Sequence, residues 1–322
     1  MRTRLLCFLF LSTLLLAPFR SALAAWPEKP IRMIVPSAPG GAPDVLMRAL
    51  SAQLSQQLGV PIVIDNKPGG SYTIGTMELV RAPADGYTLG YGNVVSLATN
   101  RSLLPNVPYD VDRDLSLISG TWRLTNLLVV NNDLPVKNVA ELVAYARKNP
   151  GKLAFASDGN GTTAHLGMEL FKSMTGTSIL HVPYKAASAG VTDLISGGVQ
   201  VMMANTPVVT PHVQAGRIRA LGITSLQGSS AYPQIAPVAA TVPGFEVLSW
   251  GGIVGPARLP KEIVTRLNNE IRTALTSPAV VERFKSLGAE PAPSTPEQFR
   301  DLSRRETEKW AKVVKFSGAK ID

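Results

Sequence analysis

The chain holds a single cysteine, Cys7, inside its first 25 residues. Beyond that segment neither a disulfide nor a thiol nucleophile is available. Histidine is almost as scarce, with three in 322 residues, and His165, His181 and His212 form no His-x-x-x-His pair. Metal centres draw on clustered ligands, so no metal is expected, nor any other cofactor. Basic residues come in short pairs such as Arg304-Arg305. Nucleic-acid binding uses a clustered basic stripe with groove-reading elements, which is missing, so no nucleic-acid partner is expected. After the first 25 residues no run is long and apolar enough to span a bilayer.

The beginning of the chain reads differently. Arg2 and Arg4 precede the apolar run "LLCFLFLSTLLLAP", and "ALAA" supplies small residues. This is the pattern of a secretory leader, cleaved near Ala24/Ala25, and the run is too short for a membrane anchor. Removing it leaves about 297 residues, enough for two lobes with their own cores. Without Arg2, Arg4 and Arg20 the 32 basic residues fall to 29 against 23 acidic ones, a net charge of +6. Such a field suits attraction of small anions. The product is expected to be an exported, soluble periplasmic monomer with no membrane insertion.

Strand-like and helix-like segments then alternate. "IRMIV" (31–35), "IVID" (62–65) and "YTLGYG" (87–92) are strand candidates. Between the first two, Leu46, Leu50, Leu54 and Leu58 mark a helix stopped by Gly59 and Pro61. A second cycle starts with Asn138 as N-cap and Glu141 three residues on, followed by strands "KLAFAS", "ILHVPY", "VQVMMAN" and "IRALGITS". The helix after residue 162 places Leu166, Leu170, Phe171 and Met174 on one face. Pro260 opens a C-terminal helix, and Thr295-Pro296-Glu297-Gln298 is a capping box. The fold class is α/β: two lobes, each a mostly parallel sheet flanked by helices. Segments 116–130 and 244–256 are the expected crossings. They bound a discontinuous lobe over 26–123 plus 247–322 and a second over 124–246. A ligand cleft is expected between the lobes, where the carboxyl ends of the strands face each other.

Three glycine-rich loops open helices: "PSAPGGAPD", "NKPGGSYTIG" and "SDGNGTTAH". The spacing Gly159-x-Gly161-x-x-Ala164 approaches a dinucleotide fingerprint, but Lys185 stands where that fingerprint needs an acid for the ribose hydroxyls. What remains is simpler. A helix start carries unpaired amide N–H groups and about half a positive charge, which makes it an anion site. Ser157, Thr162 and Thr163 can add hydroxyls, and Lys67 is the only basic residue in the three loops. A single such loop is an ordinary turn; three lining one cleft point to carboxylate capture.

Other roles stay open. Asp44 complements the dipole of its own helix. Asp193 either braces a turn or receives a ligand ammonium group. For His165, bracing the glycine loop is favoured over ligand contact, with catalysis third; His181 reads as a structural hydrogen-bonding residue. "GGSYT" (69–73) is a near miss to a Gly-x-Ser-x-Gly elbow, so the alternative is an exported hydrolase using Ser71 with His165.

Six segments carry a resemblance: "WPEKPIRMIVPSAPGGAPDVLMRAL", "VIDNKPGGSYTIGTMELVRAPADGYTL", "SDGNGTTAHLGMELF", "HVPYKAASAGVTDLISGGVQVMM", "AGRIRALGITS" and "GGIVGPARLPKEIVTRLN". In this order they resemble the substrate-binding proteins of tripartite tricarboxylate transporters, the Bug-type receptors. The resemblance implies a type II-like two-lobed periplasmic binding protein that closes about a hinge. Its partners would be a small carboxylate (organic acid, dicarboxylate or acidic amino acid) and the membrane permease subunits; a sensor feeding a signalling system is the variant. It also implies that the Ser37–Asp44, Ser71–Thr73 and Ser157–His165 loops line the cleft, partly through bound water. The ligand-binding set on this view is Ser37, Ala38, Gly40, Gly41, Ser71, Tyr72, Thr73, Asn93, Ser157, Gly159, Asn160, Gly161, Thr162, Thr163, His165, Ala187, Asp193 and Asn205. No catalytic residue is assigned. Three departures bear on ligand choice. Ser71 and Tyr72 occupy a stretch that is glycine-rich in the family, and Ala186 replaces a glycine. An arginine expected after "LGITS" is missing.

Overall fold

The computed structural model describes residues 26–184, 186–229 and 232–320. The leader expected over residues 1–25, with Cys7 and its cleavage site, lies outside the described residues, as does Lys185. The first half runs β1 (Ile31–Val35), α1 (Ala42–Leu58), β2 (Ile62–Asn66), α2 (Thr73–Val80), β3 (Thr88–Asn93), α3 (Asn100–Leu103), α4 (Val111–Asp114) and β4 (Leu115–Asn131). Next come α5 (Val139–Lys148), β5 (Leu153–Ser157), α6 (Thr163–Thr175), β6 (Ile179–Pro183), α7 (Ala187–Ser196), β7 (Val201–Asn205), α8 (Thr206–Gln214) and β8 (Ile218–Ile223). The chain closes with β9 (Leu248–Pro256), α9 (Lys261–Ala274), α10 (Pro278–Ser286), β10 (Glu290–Pro291) and α11 (Pro296–Ser317).

Local signals in the sequence explain most boundaries. In α1, Leu46, Leu50, Leu54 and Leu58 are all buried, and Gly59 ends the helix in the left-handed region at φ 73°. Asn138 Oδ1 accepts from the Glu141 amide at 2.9 Å to start α5. Thr295 and Gln298 exchange the two bonds of a capping box at the head of α11. Two expectations shift. Met174 is 40% exposed, and Thr175 is buried instead, its hydroxyl bonded to the Phe171 carbonyl and Thr177. Helix α8 had no sequence forecast, because Pro207, Pro211 and a run of β-branched residues disguise its period.

The strands follow the order β2-β1-β3-β9-β4-β7-β5-β6, with β8 and β10 also on β4. Pairs β1–β2, β1–β3, β5–β6 and β5–β7 are parallel, while β9 and β4 pair antiparallel with their neighbours. At 17 residues β4 is far longer than the usual five or six. Leu115–Thr125 pairs with β9, whereas Asn126–Val130 pairs with β7 and Leu127–Asn131 with β8. One strand therefore leaves the first sheet and enters the second near Thr125/Asn126. The expected crossing at 116–130 is this strand.

The parallel strands of each sheet end at one edge and hand over to helices there. β5 leads to α6, β6 to α7 and β7 to α8; β1 and β2 lead to α1 and α2. Helix α11 lies across the junction, packed on α3 and β4 and also on α6. Its Phe299, Trp310 and Val313 join one apolar cluster with Leu97 from one side and Phe155, Leu166 and Phe171 from the other. Ser303 Oγ donates to the Leu97 carbonyl at 2.8 Å, and Trp310 Nε1 to Glu306 at 2.9 Å. Truncation of the fully buried Trp310 leaves a cavity at this shared core. Trp310→Ala is expected to lower unfolding stability by about 3–5 kcal/mol, read from urea denaturation. A loss below about 1 kcal/mol would contradict this bracing role.

Candidate functional site

In the first sheet the loop after β1 is held from behind by a buried acid. Asp44 is 2% exposed and accepts from Gly40 N (2.9 Å), Asn66 Nδ2 (2.9 Å) and Arg48 Nε (2.9 Å). Burial pushes its carboxyl upward, but the bonds from Arg48, Gly40 and Asn66 outweigh that and hold it below the ordinary value. Asn66 also donates to the Ser37 carbonyl at 3.0 Å, which joins the ends of β1 and β2. The Gly40 amide goes to Asp44 and the Gly41 amide to the Ala38 carbonyl at 3.3 Å. Both amides were expected to face an anion; in this structure Asp44 takes the Gly40 amide and the Ala38 carbonyl takes that of Gly41. Ala38 is exposed nearby, and the Ser37 hydroxyl is buried without a partner.

The second loop is strained. Gly70, Ser71 and Tyr72 are consecutive left-handed residues at φ 54°, 50° and 73°. A non-glycine residue there costs about 1 kcal/mol or more, so the surroundings must hold it. They do: Asn100 Nδ2 donates to the Ser71 carbonyl at 2.7 Å, Thr73 Oγ1 to that of Gly70 at 2.6 Å, and Thr76 Oγ1 to that of Tyr72 at 2.9 Å. This turn presents Tyr72 toward Asn93 and toward Asp158 of the other sheet. Burial and the Asp158 charge raise the Tyr72 phenol above its ordinary value, against an opposing bond from Asn93. The rest of Asn93 caps its own turn, Oδ1 accepting from Val95 N and Ser96 N at 3.1 Å each.

The third loop rests on two histidines far apart in sequence. His165 and His181 stack with centroids 3.9 Å apart, and Phe155 stacks on His181 at 4.7 Å. Gly161 N donates to His165 Nδ1 at 3.0 Å, and Ser157 Oγ pairs with His181 Nε2 at 2.6 Å. Ser157 Oγ also contacts the Gly159 carbonyl, Thr162 Oγ1 donates to the same carbonyl, and the Thr162 hydroxyl caps His165 N. Asn160 is exposed at the tip. Burial pushes the His165 ring down to about 3, aided by His181 and Lys172; burial and Lys172 push His181 to about 4. Both rings are neutral bracing groups at neutral pH.

Behind this loop lies a small recess lined by Asn126, Asp158, Thr163, Ala164, Ala187, Met202, Ala204, Asn205 and Val208. It has room for about one water-sized group. The starts of α6, α7 and α8 meet on it, and none of the three carries an acid in its first turn. Thr163 Oγ1 pairs with Ser249 Oγ at 2.9 Å, which in turn donates to Asn205 Oδ1 at 3.1 Å. By contrast Asn126 is fully buried with both side-chain polar atoms unpartnered, and Asp158 Oδ1 is buried without a partner too. Native proteins leave few such atoms, so their concentration at one recess marks a place built for something else.

Asn126, Asp158 and Ser249 escaped the sequence reading. Asp158 sat inside the quoted glycine loop, and its offset from the next helix was the available signal. Asn126 could not be found without knowing that β4 changes sheets there. Asp193 braces its own lobe, accepting from the Tyr184 hydroxyl at 2.6 Å, and burial with that bond pushes the phenol to about 12. A much larger cavity, about 730 Å³, lies elsewhere, between segment 96–113 and α11. Two of its basic residues are held in ion pairs, Arg304 with Asp112 at 3.1 Å and Arg113 with Asp114 at 2.7 Å. The smaller recess, where buried unpartnered polar atoms gather, is the candidate site. Among the described residues no group of three or more His, Cys, Asp or Glu is placed to hold a metal, and no helix is long and apolar enough to cross a membrane.

Residues 46–318 match the profile of the tripartite tricarboxylate transporter family receptor. Protein BugT of Bordetella pertussis is 38% identical over 298 residues, 92% of this chain and 91% of that protein. The structure of R. palustris Rpa4515 with adipate aligns with a TM-score of 0.77 at 36% identity, covering 92% of this chain and 99% of that one. MatC from Rhodopseudomonas palustris with bound malate gives 0.73 at 26% identity, covering 89% and 99%. The chain belongs to the tripartite tricarboxylate transporter receptor family, a family of periplasmic solute-binding receptors.

The histidine stack sets a pH dependence. Above about pH 6.5 both rings are neutral whether the chain is folded or not, and their contribution is flat. As pH falls below that, the unfolded chain takes up protons that the folded one refuses, so stability declines until the folded rings titrate near 4 and 3. Thermal melts from about pH 8 to 4 should show this decline, and the double variant His165→Gln/His181→Gln should flatten it. Parallel slopes in the two proteins would contradict the assignment.

Proposed function

We propose that this member of the tripartite tricarboxylate transporter receptor family captures a small carboxylate between two lobes, 26–123 plus 247–322 and 124–246, and delivers it to membrane permease subunits. The chain acts as an exported monomer whose leader is removed near Ala24/Ala25, and it binds without catalysing a reaction. The observation that carries this is the convergence of α6, α7 and α8 on one recess, with no acid in any first turn. Amide dipoles so arranged favour an anion. Adipate and malate in the related structures fit the same chemistry. Thr163, Asn205 and Ala187 supply the second-lobe contacts, and Ser71, Tyr72 and Asn93 approach from the first; Ser37 and the Gly40 loop form its outer edge.

What weighs against the hydrolase alternative is the position of His165. Its Nδ1 accepts from Gly161 N, its ring is stacked on His181, and no hydrogen bond joins it to Ser71. The low proton affinity of the buried ring also suits a brace better than a general base working near neutrality.

A backbone test is available. Ala187 is the first residue of α7, and Ala186 before it is extended at φ −149°, ψ 145°, a conformation that precedes proline readily. Ala187→Pro removes one amide N–H while preserving the helix start. In calorimetric titration against mono-, di- and tricarboxylates, the wild-type chain should bind at least one acid. Ala187→Pro should weaken that affinity about 10- to 100-fold at unchanged melting temperature. Silence of the wild type toward every acid, or full affinity in the variant, would contradict capture at this recess.

A further inference from the structure

We infer that the ligand bears a hydrogen-bond-donating group, an ammonium or a hydroxyl, beside its captured carboxylate, and that Asp158 with Asn126 selects it. This rests on the carboxylate-capture reading and narrows its substrate class. The recess is not uniformly suited to an anion. Asp158 brings a carboxylate whose Oδ1 is buried and bonded to nothing. Asn126, fully buried, leaves both its amide donor and its carbonyl acceptor open. Their neighbours Thr163 and Asn205 are already tied through Ser249 and are less free to answer them.

Two chemistries thus meet at one place. The starts of α6, α7 and α8 attract negative charge, whereas the free oxygen of Asp158 repels it and accepts only a donor. Among the described residues that line the recess there is no lysine or arginine to offset Asp158. A ligand carrying carboxylates alone would bring like charge against a half-buried carboxylate whose Oδ1 is shielded from water, which is costly. A ligand with a donor next to its carboxylate satisfies both demands: the carboxylate lies along the helix starts and the donor enters between Asp158 and Asn126. The recess admits about one water-sized group, the size of an ammonium or hydroxyl. Tyr72 closes the arrangement from the opposite lobe, near enough to feel the Asp158 charge.

Matched acids of equal carbon length test this: succinate, malate and aspartate; glutarate and glutamate; adipate and 2-aminoadipate. Titration calorimetry of the mature chain should show a donor-bearing acid binding at least about tenfold more tightly than its unsubstituted partner. Asp158→Asn should erase that preference by weakening the donor-bearing acid and strengthening the unsubstituted one. Asp158→Glu, which retains the charge, should keep a preference and so controls for damage to the loop, as does the melting temperature of both variants. If Asp158→Asn weakens aspartate but spares malate, the donor is an ammonium; if it weakens malate, a hydroxyl suffices. Equal affinity for substituted and unsubstituted acids, or an unchanged ranking in Asp158→Asn, overturns the inference while leaving carboxylate capture standing. If no acid binds the wild type, capture fails and the inference fails with it.

Discussion

Peptide amides at helix starts must find acceptors, and where they do so determines how this molecule works. At α1 the chain answers its own need: Asp44 is buried at the helix start and takes Gly40 N, Asn66 and Arg48 together. At α6, α7 and α8 no acid in the first turn does the same. The first helix start is therefore closed by its own acid, while the other three converge on a shared recess whose one carboxylate is Asp158. On the proposed function that asymmetry divides the labour between the lobes, one offering a preformed wall and the other the dipoles to hold an anion.

The scaffold around this asymmetry has to keep three loops still. In the second lobe rigidity comes from the neutral pair His165 and His181, which stack and anchor Gly161 N and Ser157 Oγ. In the first it comes from side chains that clamp the carbonyls of the left-handed turn at Gly70, Ser71 and Tyr72. Both devices spend backbone strain or desolvation to fix a surface before any ligand arrives, which lowers the entropy lost on binding. Strand β4 and helix α11 connect the two lobes, one by hydrogen-bonded ladders into both sheets and the other by a common apolar cluster.

Much of this was legible in the residues. Leucines at four-residue spacing, glycine stops, Asn138 and the Thr295 capping box located helices within a residue or two, and alternation of strands with helices gave the α/β class. Glycine loops opening helices pointed to the anion chemistry. Long-range geometry was not legible. Nothing in the spacing of His165 and His181 reveals that they stack, because β5 and β6 must pair before they meet. Nor does the run 115–131 disclose that Asn126 sits where one strand leaves one sheet for another. The Gly40 and Gly41 amides looked free because glycine reports conformational freedom and not which acceptor its amide finds.

A crystal structure of the chain with a bound acid tests the central claim most directly. The account predicts a carboxylate within hydrogen-bond distance of amides at the starts of α6, α7 or α8, with the ligand enclosed by Tyr72 and Asp158. A ligand seated instead in the large cavity between segment 96–113 and α11, with the Asn126 recess occupied only by water, would contradict it.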